Sequence, residues 1–272
     1  MMEKTKAIVL RITPYSKTSQ IVSWITPDHG RLTTLVKGAC RPKSAFLGQY
    51  DLFYTCEVIF YKNDRHTVHI MKECTPLQSR ETFRGNWRAM MCASYVCDLA
   101  WRVSQENHSQ PELYELIQSS INYLSKGNIK PQFIAWFELK LMDILGMAPQ
   151  IARCHSCRNE ISSTTFRHVS FYPSQGIILC PGCSAKTGES AIPVTPDILA
   201  MLMVWQASDS AKLTGNTRIS EKQLVALGKI LGTFLDYHLD FVPLSRSIVM
   251  DTIQEKPQAK HNKQIQETVN EV

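Results

Sequence analysis

The chain has 272 residues, 44% of them hydrophobic, which supplies one large core or two smaller ones and excludes a chain without fixed structure. No stretch approaches 18 uninterrupted apolar residues, and the apolar run near the N-terminus is broken at Arg11 before it could form a signal-peptide core, so a soluble cytoplasmic protein with no membrane partner is expected. The net charge is +6, but residues 1–75 hold 11 Lys or Arg against 6 Asp or Glu while residues 76–272 hold 19 against 18. A positive field concentrated in the first quarter favours a polyanionic partner, the bland alternative being the solvated face of a small barrel.

Residues 1–78 read as β structure. "TKAIVLRI", "SQIVSWIT", "RLTTLVK", "DLFYTCEVIFYK" and "RHTVHIMKE" are five segments rich in β-branched and aromatic residues. In the first, Ile8, Leu10 and Ile12 share one face and Ala7, Val9 and Arg11 the other, which predicts a half-buried strand. Turns are expected at Pro27-Asp28-His29-Gly30 and at Asn63-Asp64. Five strands with hairpin spacing suggest a closed barrel, since closure removes the exposed edges of so short a sheet. Between the third and fourth segments, "KGACRPKSAFLGQYDLF" carries the densest charge: Lys37, Arg41 and Lys43, with Arg31 just upstream. Gly38 and Pro42 shape a loop at the barrel rim that can follow a phosphate backbone. Phe46 and Tyr50 come next, and either they stack unpaired bases or they plug the barrel.

From Ser79 the period changes to 3.6, with Phe83, Trp87, Met90, Met91, Ser94 and Leu99 recurring through residues 79–106 as an apolar face. Pro111 opens a helix that closes on Gly127, and Pro131 opens the next. Thr195-Pro196-Asp197 starts another, and Ser220 to Gln223 matches a capping box at the head of a long one. These define a helical domain over 79–252. Residues 253–272 are polar, without a sustained apolar face, and are expected to be a disordered tail.

Inserted in the helical domain, at about 150–190, Cys154-x2-Cys157 and Cys180-x2-Cys183 flank a strand, a turn at Pro173 to Gly176 and a second strand. A two-residue gap lets both sulfurs of a doublet face one ion, and a hairpin brings two doublets into a tetrahedron of thiolates. Arg153, Arg158 and Lys186 lie close in sequence to offset the negative charge. Two disulfides would need a secreted chain, a thioredoxin-type doublet would need a βαβ context, and a catalytic metal would need an open position that four thiolates close. One structural Zn²⁺ is therefore the expectation, with His155 a less suitable ligand. The other five cysteines, Cys40, Cys56, Cys74, Cys92 and Cys97, read as reduced and mostly buried thiols. The sequence holds no phosphate-binding glycine loop, zincin motif or nucleophile elbow, and its carboxylates do not cluster as a two-metal nuclease requires. A non-enzymatic binding protein fits best; a DNA-processing enzyme and a zinc-stabilised protein-interaction module remain as alternatives.

Residues 9–53 resemble the N-terminal OB-fold of the bacterial RecO family of recombination mediators. The resemblance rests on Pro14-Tyr15, Thr18-Ser19, His29-Gly30-Arg31 and the Lys37-Gly38-x-x-Arg41-Pro42-Lys43-Ser44 loop. Residues 234–247 are similar to the family's last helix and the segment after it. The resemblance implies an α+β multidomain protein that binds single- and double-stranded DNA, anneals complementary strands and, with RecR, helps to load RecA onto DNA coated by single-strand-binding protein. It further implies contact with the acidic C-terminal tail of single-strand-binding protein and a cytoplasmic, nucleoid-associated location. Carried over, the DNA-binding residues are Lys37, Arg41 and Lys43, with Arg31 nearby. Cys40 stands where the family often has another basic residue, and only some members keep four zinc-binding cysteines.

Overall fold

The structure is a computed structural model that describes residues 1–63, 65–127, 129–161, 166–186, 190–212, 217–241 and 244–254. The tail from residue 255, and Asp64 of the expected Asn63-Asp64 turn, lie outside the described residues.

β1 (Met2–Pro14), β2 (Gln20–Thr26), β3 (Gly30–Val36), β4 (Thr55–Tyr61) and β5 (Val68–Gln78) close into a barrel in the order β1-β2-β3-β5-β4. Four pairings are antiparallel, and a short parallel pairing of Thr33 to Leu35 with Val68 to Ile70 completes the circle. This is the OB-type barrel that the five segments led us to expect. Val9, Val22, Trp24, Leu32, Val36, Val58 and Phe60 fill it. The Trp24 indole N–H donates to Thr34 Oγ1 at 2.9 Å, so the barrel buries no orphaned ring nitrogen there.

β1 departs from the half-buried reading. Ala7, Ile8 and Val9 are all fully buried, because Ala7 and Val9 face the barrel while Ile8 and Leu10 pack with the helices. A bulge between Val9 and Arg11 then reverses the alternation, so Ile12 packs on the barrel interior with Ala7 and Val9 and not with Ile8.

A 3-10 turn (Glu81–Gly85) leads to α1 (Trp87–Val103), α2 (Pro111–Ser125), α3 (Pro131–Ile144), α4 (Pro181–Ser184), α5 (Pro196–Ala207), α6 (Glu221–His238) and α7 (Leu244–Gln254). Pro starts α2 and α3 as expected, and the Ser220–Gln223 capping box is formed at α6. α3 runs through the centre, buried on every side from Gln132 to Met142. α1 buries Ala89, Cys92, Ala93, Tyr95, Val96, Cys97, Leu99 and Ala100; of the face expected from its large residues, Leu99 is buried, as is Phe83 in the turn before it, whereas Trp87 and Met90 are exposed. Small inward side chains let α1 approach the barrel, α2 and α7 together, and Trp87 and Met90 are left on the open side of its first turn.

α7 was not anticipated, and Ile253, assigned to the tail, belongs to it. Its apolar pattern is weak, and a buried ion pair holds it. Arg246 places Nε 2.7 Å and Nη2 3.0 Å from the two oxygens of Glu138, a residue of α3 that also accepts from Tyr95 at 2.7 Å. Burial alone would lower the Arg246 pKa, but Glu138 raises it beyond the ordinary arginine value.

Barrel and helices meet along a tight seam. Gly30, at φ +61°, lies so close to the α1–α2 connection that a Cβ there would sit 2.3 Å from the His108 carbonyl oxygen. Arg31 N–H donates to Gln105 O at 2.8 Å, and Gln110 N–H to Pro27 O at 3.0 Å. Arg80, buried and left-handed at φ 50°, donates to the Phe53 carbonyl and, at 3.0 and 2.9 Å, to Asn122 Oδ1 of α2. Burial brings its pKa down to about 10, so it still carries its charge at neutral pH.

Candidate nucleic-acid interface and metal centre

The residues after β3 form a chain of turns anchored at both ends. Gly38 N–H donates to Ser19 Oγ at 3.2 Å, and Cys40 N–H to Thr18 O at 3.1 Å, which ties this loop to the β1–β2 connection. Ala39 is buried as a plug, and the turns Arg41 N–H to Gly38 O (3.1 Å) and Ser44 N–H to Arg41 O (3.0 Å) fix the tip. Gly38 has φ +71°, and the aliphatic part of Arg41 lies over it, 3.3 Å from where a Cβ would stand.

Lys37, Arg41 and Lys43 are all exposed on this loop. The structure adds a fourth cation, Lys17, exposed on the β1–β2 connection that the loop is tied to. Sequence spacing hid it, twenty residues from Lys37, although pairing of Gln20 with Val36 places the two turns side by side. Among the described residues none of these four makes an ion pair, while Lys4, Lys62 and Lys72 of the barrel do.

The other residues expected at the interface are placed differently. Arg31 points into the seam: Nη1 donates to the Trp101 carbonyl at 2.6 Å, Nη2 lies 3.3 Å from Glu106 Oε1, and the guanidinium lies over the Trp101 ring at 5.4 Å. Phe46 packs against the barrel interior. Tyr50 donates to Gln20 Oε1 at 2.6 Å and meets Trp24 edge-on at 6.0 Å; burial, then the neighbouring Cys40 and Cys74, raise its pKa. Both aromatics are half-buried at the mouth of the barrel.

The hairpin formed by β6 (Val169–Tyr172) and β7 (Ile177–Leu179) turns at Pro173 to Gly176 as expected, and a third strand that the sequence did not suggest, β8 (Ile192–Val194), pairs with β6. Pro193 is tolerated in β8 because the strand lies at the sheet edge. Around this sheet the sulfurs of Cys154, Cys157, Cys180 and Cys183 lie within 4.8 Å of one another. Cys157 and Cys180 are 3.9 Å apart, close to the edge of about 3.8 Å that a thiolate tetrahedron with zinc–sulfur bonds of about 2.3 Å requires. The donor set therefore fits a metal ion.

Cys180 N–H points at Cys154 Sγ at 3.4 Å. Burial pushes the Cys154 thiol up, but the N–H groups of Cys157 and Cys180 outweigh it and bring the pKa down to about 6. Burial and the neighbouring sulfurs push Cys180 up to about 11, since four thiolates cannot form together without a cation. His155 is exposed, with no place in the cluster, and Arg153 pairs with Glu160 at 3.0 Å. Of the remaining cysteines only Cys40 is exposed.

Comparison with known proteins adds to this geometry. Residues 1–80 match the family profile described as "Recombination protein O N terminal", and residues 84–247 match "Recombination protein O C terminal". The chain belongs to the RecO family of DNA repair proteins. Relatives named DNA repair protein RecO include that of Dehalococcoides mccartyi strain 195, 27% identical over 206 residues that cover 76% of this chain and 79% of the relative. The Halalkalibacterium halodurans protein is 26% identical over 236 residues, 87% of this chain and 89% of the relative. That of Roseiflexus sp. is 26% identical over 251 residues, 92% of this chain and 86% of the relative. Among the described residues no helix is long and apolar enough to cross a membrane.

Proposed function

We propose that this RecO-family chain is a non-enzymatic, cytoplasmic and nucleoid-associated recombination mediator. It binds single- and double-stranded DNA through the barrel rim, anneals complementary strands and, with RecR, helps to load RecA onto DNA coated by single-strand-binding protein. The observation that carries the reading is the group of four exposed cations, Lys17, Lys37, Arg41 and Lys43, on two hydrogen-bonded turns with no carboxylate paired to them among the described residues. Such a group binds phosphates irrespective of sequence. Two strands whose phosphates are neutralised repel each other less, so base pairing proceeds without nucleotide hydrolysis. Arg31 is left out of the contact set because its donors are engaged in the seam.

The domain assignment belongs to the same reading: a DNA-binding barrel over 1–78, a helical domain over 79–252 that meets protein partners, among them the acidic tail of single-strand-binding protein, and a polar tail. One structural Zn²⁺ would sit among Cys154, Cys157, Cys180 and Cys183 and would supply cohesion to a small three-stranded sheet; the four sulfurs close its shell. Metal analysis should find about one zinc per chain, released on acidification as protons compete for the thiolates.

The test of DNA binding is the salt dependence of affinity for single-stranded DNA. Four neutralised phosphates give a slope of log K against log[salt] of about −2.8. Replacing Lys37, Arg41 and Lys43 by Ala should cut the slope to about −0.7 and abolish annealing. An unchanged slope in that variant would remove the rim from the mechanism, and strand cleavage by the purified chain would favour an enzyme instead.

A further inference from the structure

The face that α1 turns inward leaves one side chain without a structural reason. Trp87 is 52% exposed at the first turn of the helix, whereas Trp24, Trp136 and Trp205 are at most 1% exposed and Trp101 is covered by Arg11 and Arg31, at 5.0 and 5.4 Å from its ring. Scattered aliphatic residues on a surface are ordinary, but a half-exposed indole retains a large apolar face in water. Two arginines flank it. Arg88 lies over the indole, 5.4 Å from the ring, and Arg84, exposed, sits one turn earlier.

The position of this group follows from two contacts. Arg84 Nη2 meets Asp51 Oδ2 at 3.4 Å, and Phe83 packs edge-on against Phe53 at 5.1 Å. Asp51 and Phe53 end the same run of turns whose beginning carries Arg41 and Lys43. Leu47 and Leu52, which lie between Lys43 and Phe53 in the chain, are exposed.

We propose that Trp87, flanked by Arg84 and Arg88, is a stacking platform for an unpaired base of a single strand whose phosphates are held at the rim. The proposal rests on the DNA-binding reading above and adds to it a residue that discriminates single strands from duplex. A base in duplex has both faces covered by its neighbours, while an unpaired base can lie on the open face of the indole. Arg88 on the opposite face strengthens that arrangement, since a guanidinium against the ring is itself attracted to it. Phe46 and Tyr50 pack against the barrel interior, whereas Trp87 is half-exposed and its neighbours Arg84 and Phe83 contact Asp51 and Phe53 at the end of the rim loop. A protein partner for the same patch would be favoured by the neighbouring Met90, but a guanidinium over the ring, that of Arg88, suits a polyanion better.

Intrinsic fluorescence separates the possibilities, because the other tryptophans are buried or covered. Poly(dT) should quench the emission of the full-length protein saturably, and duplex DNA of matched length should quench it far less. Trp87→Phe should lose the quenching and keep its affinity, as measured by anisotropy of a labelled oligothymidylate. Trp87→Ala should lose about tenfold in affinity with an unchanged salt slope, since stacking is lost and no phosphate contact is. Binding by anisotropy without quenching in the unaltered protein, or full affinity in Trp87→Ala, would overturn the platform and leave the rim reading intact. No binding by anisotropy at all would overturn the rim reading, and the platform with it.

Discussion

Two sets of cations, both within the first eighty residues, have opposite fates in this molecule. Arg31 and Arg80 border the barrel–helix seam, and their guanidinium groups are engaged by carbonyls, by Glu106 and by Asn122. Lys17, Lys37, Arg41 and Lys43 stand at the rim, and no carboxylate pairs with them among the described residues. Counting charges along the chain treats the two sets alike. The difference is topological: the seam brings carbonyls and acidic side chains to the first set, while the second set is exposed on two turns tied to each other by hydrogen bonds. A charge engaged inside the fold holds the fold, and one left at its edge is available to a partner.

If that contrast holds, substitutions at engaged cations act on stability, in proportion to what they leave unpaired. The deepest case lies in the helical region. Arg246→Ala strands the carboxylate of Glu138, which is 1% exposed, and should cost about 3–5 kcal/mol in urea denaturation. Replacing both members of that pair by well-packed apolar residues should recover most of the loss, because the penalty is that of an uncompensated buried charge. Arg80→Ala leaves the Phe53 carbonyl and Asn122 without their donor and should cost about 2 kcal/mol. If Arg80→Ala proved neutral while a rim variant unfolded the protein, the contrast would be reversed.

The same contrast marks how far the sequence could be read. Five β-rich segments and two cysteine doublets are local signals, and both the barrel and the four-sulfur cluster were legible from them. Features settled by packing between distant segments were not. The bulge after Val9 reverses the face of Ile12, and no residue type announces it. α1 buries alanines and cysteines beside Tyr95 and Leu99 because three elements crowd it, so weighting its large residues places Leu99 correctly and misplaces Trp87 and Met90. α7 is held by partners far along the chain, the Arg246–Glu138 ion pair to α3, 108 residues away, and Ser245 donating to Asp98 of α1, and its own periodicity is faint. Lys17 joins the rim only through the register of the β1–β2 and β2–β3 hairpins, and Arg31 leaves it only because Gly30 lets the α1–α2 connection come close. The four-cysteine site was found because its chemistry fixes its spacing, whereas a phosphate-binding surface tolerates cations from any part of the chain.

The smallest expected effect is the most discriminating. Four like charges held on two adjoining turns, with no counter-charge beside them, repel one another, and folding must oppose that repulsion. Neutralising one of them should therefore stabilise the protein slightly even though no favourable contact is gained. Lys43→Gln should raise stability by a few tenths of a kcal/mol at low ionic strength, within the range of surface substitutions. The gain should disappear at about 1 M salt, where the screening length shrinks to about 3 Å. The same variant should bind single-stranded DNA more weakly, with a salt slope shallower by about 0.7. A gain that persisted at high salt would mean that Lys43 is strained or poorly packed, and a loss of stability would mean that it has a partner in the fold. Only a salt-sensitive gain joined to weaker binding identifies a charge that the fold tolerates at a small cost and that the polyanion uses.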